Sequence, residues 1–204
     1  MMTIHQLFPE PLYFSKLERV LTQKELKILN EHEKKTYKNA GNTTSNNNHV
    51  LENKTLKNLK KDLHTKVMDY FDKIVCTDNS ITTYITQSWI NYTKRDQDHH
   101  RHSHPNSLVS GIFYISADKK VDSVTFYKVS LDDRIRLNIA KYNPFNSTSC
   151  SFPVETGNIF LFRSSLIHGV NKKKGTNTRI SLSFNVFLKG TIGNNKLLTE
   201  LVLK

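Results

Sequence analysis

Between residues 54 and 75 apolar side chains return every three or four places, at Leu56, Leu59, Leu63, Val67, Tyr70 or Phe71, and Ile74. At 3.6 residues per turn these positions form one stripe, which predicts an amphipathic helix with its other faces in water. A shorter helix is predicted to start at Thr22-Gln23-Lys24-Glu25, where Thr22 and Glu25 have capping-box spacing and Leu26 and Leu29 share one side. Between the two, Gly41-Asn42-Thr43-Thr44-Ser45-Asn46-Asn47-Asn48 contains no core-forming residue. A surface loop is expected there, placed where it can cover the mouth of a site. After residue 78 the period changes. Segments 80–92, 108–116, 121–129, 158–162 and 179–188 are rich in β-branched and aromatic residues, with turn formers between them, and are predicted as strands.

The last of these alternates regularly. Ile180, Leu182, Phe184, Val186 and Leu188 fall on one face, and Arg179, Ser181, Ser183 and Asn185 on the other. The apolar face must pack on something apolar, such as the two helices. The polar face has two possible destinations: solvent, or the interior of an open barrel, where it would present an arginine to a ligand. Helices followed by many strands predict an α+β chain with a mainly β core, a sandwich or barrel. No internal repeat or low-complexity linker divides the sequence. It is therefore read as a single domain, 1–204, with a helical N-terminal support over about 1–78, a β core over about 79–190 and a C-terminal tail over 191–204.

Composition changes this picture little. With 204 residues, 24% charged and 37% hydrophobic, the chain suits one soluble globular domain with a sizeable core. No apolar run is long enough to span a bilayer. The start, Met1-Met2-Thr3-Ile4-His5-Gln6, lacks a basic region followed by an apolar core, so a cytoplasmic location and no membrane partner are expected. Cys76 and Cys150 have no metal-binding spacing and are too few for a disulfide framework. The net charge of +12 raises the question of a nucleic-acid partner. The lysines, however, are scattered over 24–38, 54–73 and 172–174 without an arginine-rich stripe, and the Asn, Lys and Ile bias fits an AT-rich coding sequence. Solvated helix faces are the favoured reading of that charge.

The candidate chemistry lies in the histidines. Five of the nine fall in His99-His100-Arg101-His102-Ser103-His104-Pro105 and Leu166-Ile167-His168-Gly169-Val170. His102 and His104 are two apart, so in an extended segment both side chains project to the same side and can reach one ion. His168, from another strand, would complete a triangular face with open positions for a co-substrate and dioxygen. A solvated histidine-rich loop before Pro105 is the plainer alternative.

These pieces resemble the 2-oxoglutarate- and Fe(II)-dependent oxygenases. The resemblance runs through Ser88-Trp89-Ile90-Asn91, His102-Ser103-His104-Pro105, Ser110-Gly111-Ile112-Phe113-Tyr114, Gly157-Asn158-Ile159-Phe160-Leu161-Phe162, His168-Gly169-Val170 and Arg179-Ile180-Ser181-Leu182-Ser183-Phe184-Asn185. It is most similar to a microbial and phage branch with a His-x-His-Pro motif. The resemblance implies a double-stranded β-helix (jelly roll, cupin-like) over 79–190, with the N-terminal helices packed on one sheet. It implies Fe(II) as metal, with His102, His104 and His168 as ligands, and 2-oxoglutarate as co-substrate. Arg179, eleven residues after His168, would pair with the distal carboxylate through its guanidinium fork. Ser181 and Tyr114 would assist, and Asn91 would reach the co-substrate or substrate. The implied activity is a dioxygenase that hydroxylates a small-molecule or protein substrate, releasing succinate and CO2.

One departure stands out. Most of the superfamily has Asp or Glu where this chain has His104. Either His104 ligates, giving a three-histidine face, or the iron takes two protein ligands and an external anion. Two further alternatives are an oxygenase acting on nucleic acid or nucleotides through the basic surface, and a non-enzymatic cupin-like barrel that binds zinc or a small ligand. The last leaves Arg179 without work. Substrate recognition is expected from the 39–50 loop and from 132–151.

Overall fold

The computed structural model describes residues 2–77, 80–128 and 138–204. In chain order the elements are β1 (Tyr13–Lys16), α1 (Gln23–Glu31), β2 (Thr36–Lys38), β3 (Thr43–Ser45), α2 (Lys57–Tyr70), β4 (Ile81–Thr93), β5 (His99–His102), β6 (Val109–Ser116), β7 (Ser123–Tyr127), β8 (Ser149–Pro153), β9 (Asn158–Arg163), β10 (Ile167–Val170), β11 (Arg179–Ile192) and β12 (Leu201–Leu203). The strands form two antiparallel sheets. The larger runs β1-β9-β6-β11-β4-β3-β2, with β12 also pairing β11; the smaller runs β5-β10-β7-β8. The chain is mainly β, with two α-helices among the described residues. No helix among them is long and apolar enough to cross a membrane.

Alternation sorts the long strands between two cores. On β11, Leu182, Phe184, Val186 and Leu188 join Ile85, Ile90 and Tyr92 of β4 against Leu59, Leu63, Val67 and Tyr70 of α2 and Leu29 of α1. This is the packing the apolar face required. The helical stripe is continuous from 54 to 75, as the period predicts. Its first turn is 3-10 (Lys54–Leu56) and its last is π (Phe71–Val75), which stops at Cys76 in the left-handed region, φ 53°. A second, smaller core lies between the sheets, where Ile112 and Tyr114 of β6 and Phe160 and Phe162 of β9 meet Val124 and Phe126 of β7.

The polar face of β11 turns inward. Arg179, Ser181, Ser183 and Asn185 are all buried, so the interior is its destination. Register sets their neighbours: Ser183 lies opposite Trp89, Ser181 opposite Asn91, and Arg179 opposite Thr93 on β4, while Ser181 faces Tyr114 on β6.

Two expectations are corrected. The 41–48 segment is not simply a surface loop: Thr43–Ser45 forms β3, and Thr44 and Ser45 are buried. A polar strand can be buried because its hydroxyls are paired. Thr44 Oγ1 donates to Asn91 Oδ1 (2.9 Å), and Ser45 Oγ accepts from Ile90 N–H (3.0 Å). The first 78 residues also supply more than helices, since β1, β2 and β3 extend the larger sheet, and the 191–204 tail contains β12. Val129, the end of one predicted strand, and the first part of 132–151 lie outside the described residues.

Candidate metal centre

The two sheets bring the histidines together at one edge of the interior. His168 on β10 is in direct register with His102 on β5. Between His168 and Val170 the pairing shifts so that β5 spends three residues against two on β10, a bulge that departs from simple alternation. His99 thereby stacks on His102, with ring centroids 4.6 Å apart. His104 lies just beyond β5, and its backbone N–H donates to Ser164 O (2.8 Å). Ring centroids are 5.0 Å apart for His102 and His104, 4.4 Å for His102 and His168, and 5.1 Å for His104 and His168. One nitrogen from each of the three falls within 4.8 Å of the others.

The tautomers follow from the second nitrogen. His102 Nδ1 lies 2.8 Å from the His100 carbonyl, His168 Nδ1 3.1 Å from the Leu166 carbonyl, and His104 Nδ1 2.6 Å from Asn185 Oδ1. Each of these oxygens accepts, so each Nδ1 carries the proton and each Nε2 keeps a lone pair. Burial also holds the rings neutral, with neighbouring imidazoles adding to the effect: His168 is pushed down to about 3 and His102 to about 4, while burial lowers His104 as well. Neutral imidazole with a free Nε2 is the form that binds a divalent transition metal, so the donor set fits Fe(II). His99, His100 and His102 form a second close group. That group shares His102, whose single free nitrogen can serve only one ion. The buried His168 favours the first set over the exposed His100.

Beneath the triad lies a narrow chamber lined by Trp89, Asn91, Tyr114, Arg179, Ser181 and Ser183. Arg179 is 2% exposed. Its Nη1 donates to Ser123 O (3.0 Å) and its Nη2 to Thr93 Oγ1 (3.4 Å), but its Nε is buried without a partner. Burial works against its positive charge, and no carboxylate pairs with it directly among the described residues. A buried guanidinium with an idle donor is costly until an anion reaches it. Tyr114 is buried within reach of this cation, 6.0 Å from ring centroid to Cζ, and burial raises its hydroxyl to about 12. Asn91 also lines the chamber, but its carboxamide is engaged, accepting from Thr44 Oγ1 and donating to Ser183 Oγ (3.2 Å). Above the triad an outer cleft of about 600 Å³ is lined by Asn39, Thr86, Gln87, Trp89, Ser103 and Asn106 together with the histidines.

All seven residues singled out from sequence therefore meet around these two spaces. Reasoning along the chain missed Asn185, Ser110 and Ser164 behind His104, and Thr93 and Ser123 around Arg179. For Asn185 the signal was its place on the same strand face as Arg179 and Ser181.

Comparison with known proteins gives a family likeness over the site-bearing strands. A family model described as "Putative 2OG-Fe(II) oxygenase" matches residues 87–185, a span that contains the triad, Arg179 and Asn185. No curated protein matches in sequence. Among solved structures, HygX from Streptomyces hygroscopicus, with nickel, 2-oxoglutarate and hygromycin B bound, is 12% identical over 87% of this chain and 82% of its own, with a TM-score of 0.58. The epimerase SnoN from nogalamycin biosynthesis, in complex with Fe3+, alpha ketoglutarate and nogalamycin RO, is 10% identical over 94% and 86%, with a TM-score of 0.61. An oxidoreductase of the 2OG-Fe(II) oxygenase family from Burkholderia pseudomallei is 16% identical; the alignment covers 74% of this chain and 64% of that one, with a TM-score of 0.48. At these identities the first two likenesses speak for the fold. Across the site-bearing strands, residues 87–185, the chain is similar to the 2-oxoglutarate- and Fe(II)-dependent oxygenases.

Proposed function

We propose that this chain is a dioxygenase that hydroxylates a small-molecule or protein substrate held in the outer cleft, consuming 2-oxoglutarate and O2 and releasing succinate and CO2. The two sheets are read as the double-stranded β-helix of the family. His102, His104 and His168 hold Fe(II), with His104 a ligand in its own right. When bound, the iron supplies the oxidising chemistry with dioxygen and the keto acid.

The chain's own residues do the binding and the exclusion. Arg179 takes the distal carboxylate of 2-oxoglutarate through the donor it leaves idle, and Ser181 and Tyr114 flank that contact. The guanidinium is held in orientation by Ser123 O and Thr93 Oγ1. Asn91, fixed by Thr44 and Ser183, acts as a rigid wall for the co-substrate. Phe162, whose ring lies 4.6 Å from that of His168, shields the back of the distal ligand from water. The observation that carries this reading is the buried, anion-seeking Arg179 in the same chamber as three neutral imidazoles. A zinc-holding barrel would need the imidazoles but would give that cation no purpose.

The test is anaerobic titration of metal-free protein with Fe(II) and then 2-oxoglutarate. A weak visible charge-transfer band is expected, reduced in His102→Ala, His168→Ala and Arg179→Ala. His104→Ala should weaken Fe(II) binding by more than the roughly ten- to hundred-fold typical of losing an outer-shell partner. Tight zinc binding with no band in the native protein would overturn the proposal.

A further inference from the structure

The polar pocket behind His104 extends well beyond the single Asn185 contact described above, and it is fully built. Ser110 is completely buried, Ser164 1% exposed and Asn185 8%. His104 Nδ1 meets Asn185 Oδ1 at 2.6 Å and Ser110 Oγ at 3.0 Å. Ser110 Oγ also meets Ser164 Oγ at 2.8 Å and Asn185 Oδ1 at 3.2 Å. Ser164 Oγ donates to Ser107 Oγ (2.8 Å), and Ser107 Oγ donates towards the Val109 and Val186 carbonyls (3.1 and 3.2 Å).

A hydroxyl has one proton to give. Ser107 spends its proton on the carbonyls, which can only accept, and Ser164 spends its own on Ser107. Two lone pairs facing each other at 2.8 Å would repel, so the Ser110 proton lies towards Ser164, with Asn185 Oδ1 at 3.2 Å as its second acceptor. It then presents lone pairs to His104, as Asn185 Oδ1 does. Both neighbours of His104 Nδ1 are acceptors, and one tautomer satisfies them. A carboxylate ligand, usual at this position in the family, has no tautomer to set. An imidazole there does, and the wrong tautomer would turn an N–H towards the metal.

We propose that Asn185, backed by the Ser107–Ser164–Ser110 relay, is a positioning residue that locks His104 as the Nδ1–H tautomer and so makes it a competent third ligand. The inference rests on His104 being a ligand. Because Asn185 is neutral, the lock adds no negative charge to the centre.

The experiment has two readouts. Long-range 1H–15N NMR on the metal-free native protein reports the tautomer directly, and the Nδ1–H form is expected for His104. Competition with a chromophoric chelator then measures Co(II) affinity. Asn185→Leu should lower it by about 10- to 100-fold, and Ser110→Ala by less. Asn185→Asp, which keeps an acceptor oxygen, should stay within a few-fold of the native protein. An Nε2–H tautomer in the native protein overturns the inference even if Asn185→Leu fails to fold. Native-like Co(II) affinity in a folded Asn185→Leu also overturns it. Loss of affinity in Asn185→Asp equal to that of the leucine variant does so as well. The His104→Ala control separates the two failures. Undiminished Co(II) affinity in that variant removes His104 from the centre altogether, whereas a loss there beside a native-like Asn185→Leu removes only the lock.

Discussion

Gly169 follows the distal histidine because β5 leaves no space for a side chain. A Cβ at this position would stand 2.9 Å from His99 O and 3.1 Å from His100 O, both backbone atoms that cannot swing away. Gly169→Ala is therefore expected to push β5 off β10 and widen the gap between His102 and His168, which pair across that ladder. Co(II) affinity should fall by about tenfold or more while the far-UV spectrum stays native, the loss arising from displaced ligands. Native-like affinity would mean that β5 can shift without moving His102. At this scale the sequence was readable where chemistry announces itself, in the clustered histidines and in Arg179 eleven residues after His168. It was not readable where function depends on a distant partner. Alternation places Asn185 on the inner face of its strand, but nothing local shows that it meets His104, 81 positions away.

Elements were legible in proportion to their hydrophobic period. α2, β4 and β11 each pack one apolar face, β6 and β9 pack both, and each was predicted within a few residues. β5 and β10 were not predicted, because His99–His102 is polar throughout and Ile167–Val170 is four residues long; the bulge and the register that unite them are long-range facts. β3 was hidden because its burial is paid for by hydroxyl bonds rather than by apolar area.

Caps are local, and the start of α1 was read correctly. Thr22 Oγ1 accepts from Glu25 N–H (3.2 Å), and Glu25 Oε2 accepts from Thr22 N–H (2.8 Å). The structure adds Arg19, whose two terminal nitrogens grip Glu25 (2.8 and 2.7 Å) while its Nε donates to Asp62 of α2 (2.7 Å). This clamp holds the buried Glu25 carboxyl well below the usual carboxylate range, at about 2. A depressed carboxyl stabilises the fold above its unfolded value of 4.5 and loses that contribution as pH falls towards 2. Glu25→Gln should cost roughly 2 kcal/mol at pH 7, discounted because Arg19 is partly solvated. The native and variant urea midpoints should converge near pH 2. A gap independent of pH would assign the effect to packing alone.

At the scale of the whole molecule, the charge and the site are separate. The chain carries a net +12, and several of its lysines pair with surface acids, as in Lys16–Glu155, Lys60–Glu52, Lys66–Glu18 and Lys73–Asp69. The outer cleft is lined instead by amides, hydroxyls, imidazoles and Trp89, with no Lys, Arg, Asp or Glu among its described lining residues. Substrate contact there would be made by neutral hydrogen bonds, whereas polyanion attraction would act on the exterior and be screened within about 10 Å at moderate salt. A heparin oligosaccharide is accordingly expected to bind the protein with an affinity that falls steeply between 50 and 200 mM salt. At saturation it should leave the Fe(II)–2-oxoglutarate band and the rate of 2-oxoglutarate consumption unchanged. If saturating heparin instead displaces 2-oxoglutarate or stops its consumption, the positive surface reaches the site. An oxygenase acting on nucleic acid would then become the better account of the same iron centre, because the charge would be part of substrate binding and no longer a by-product of composition.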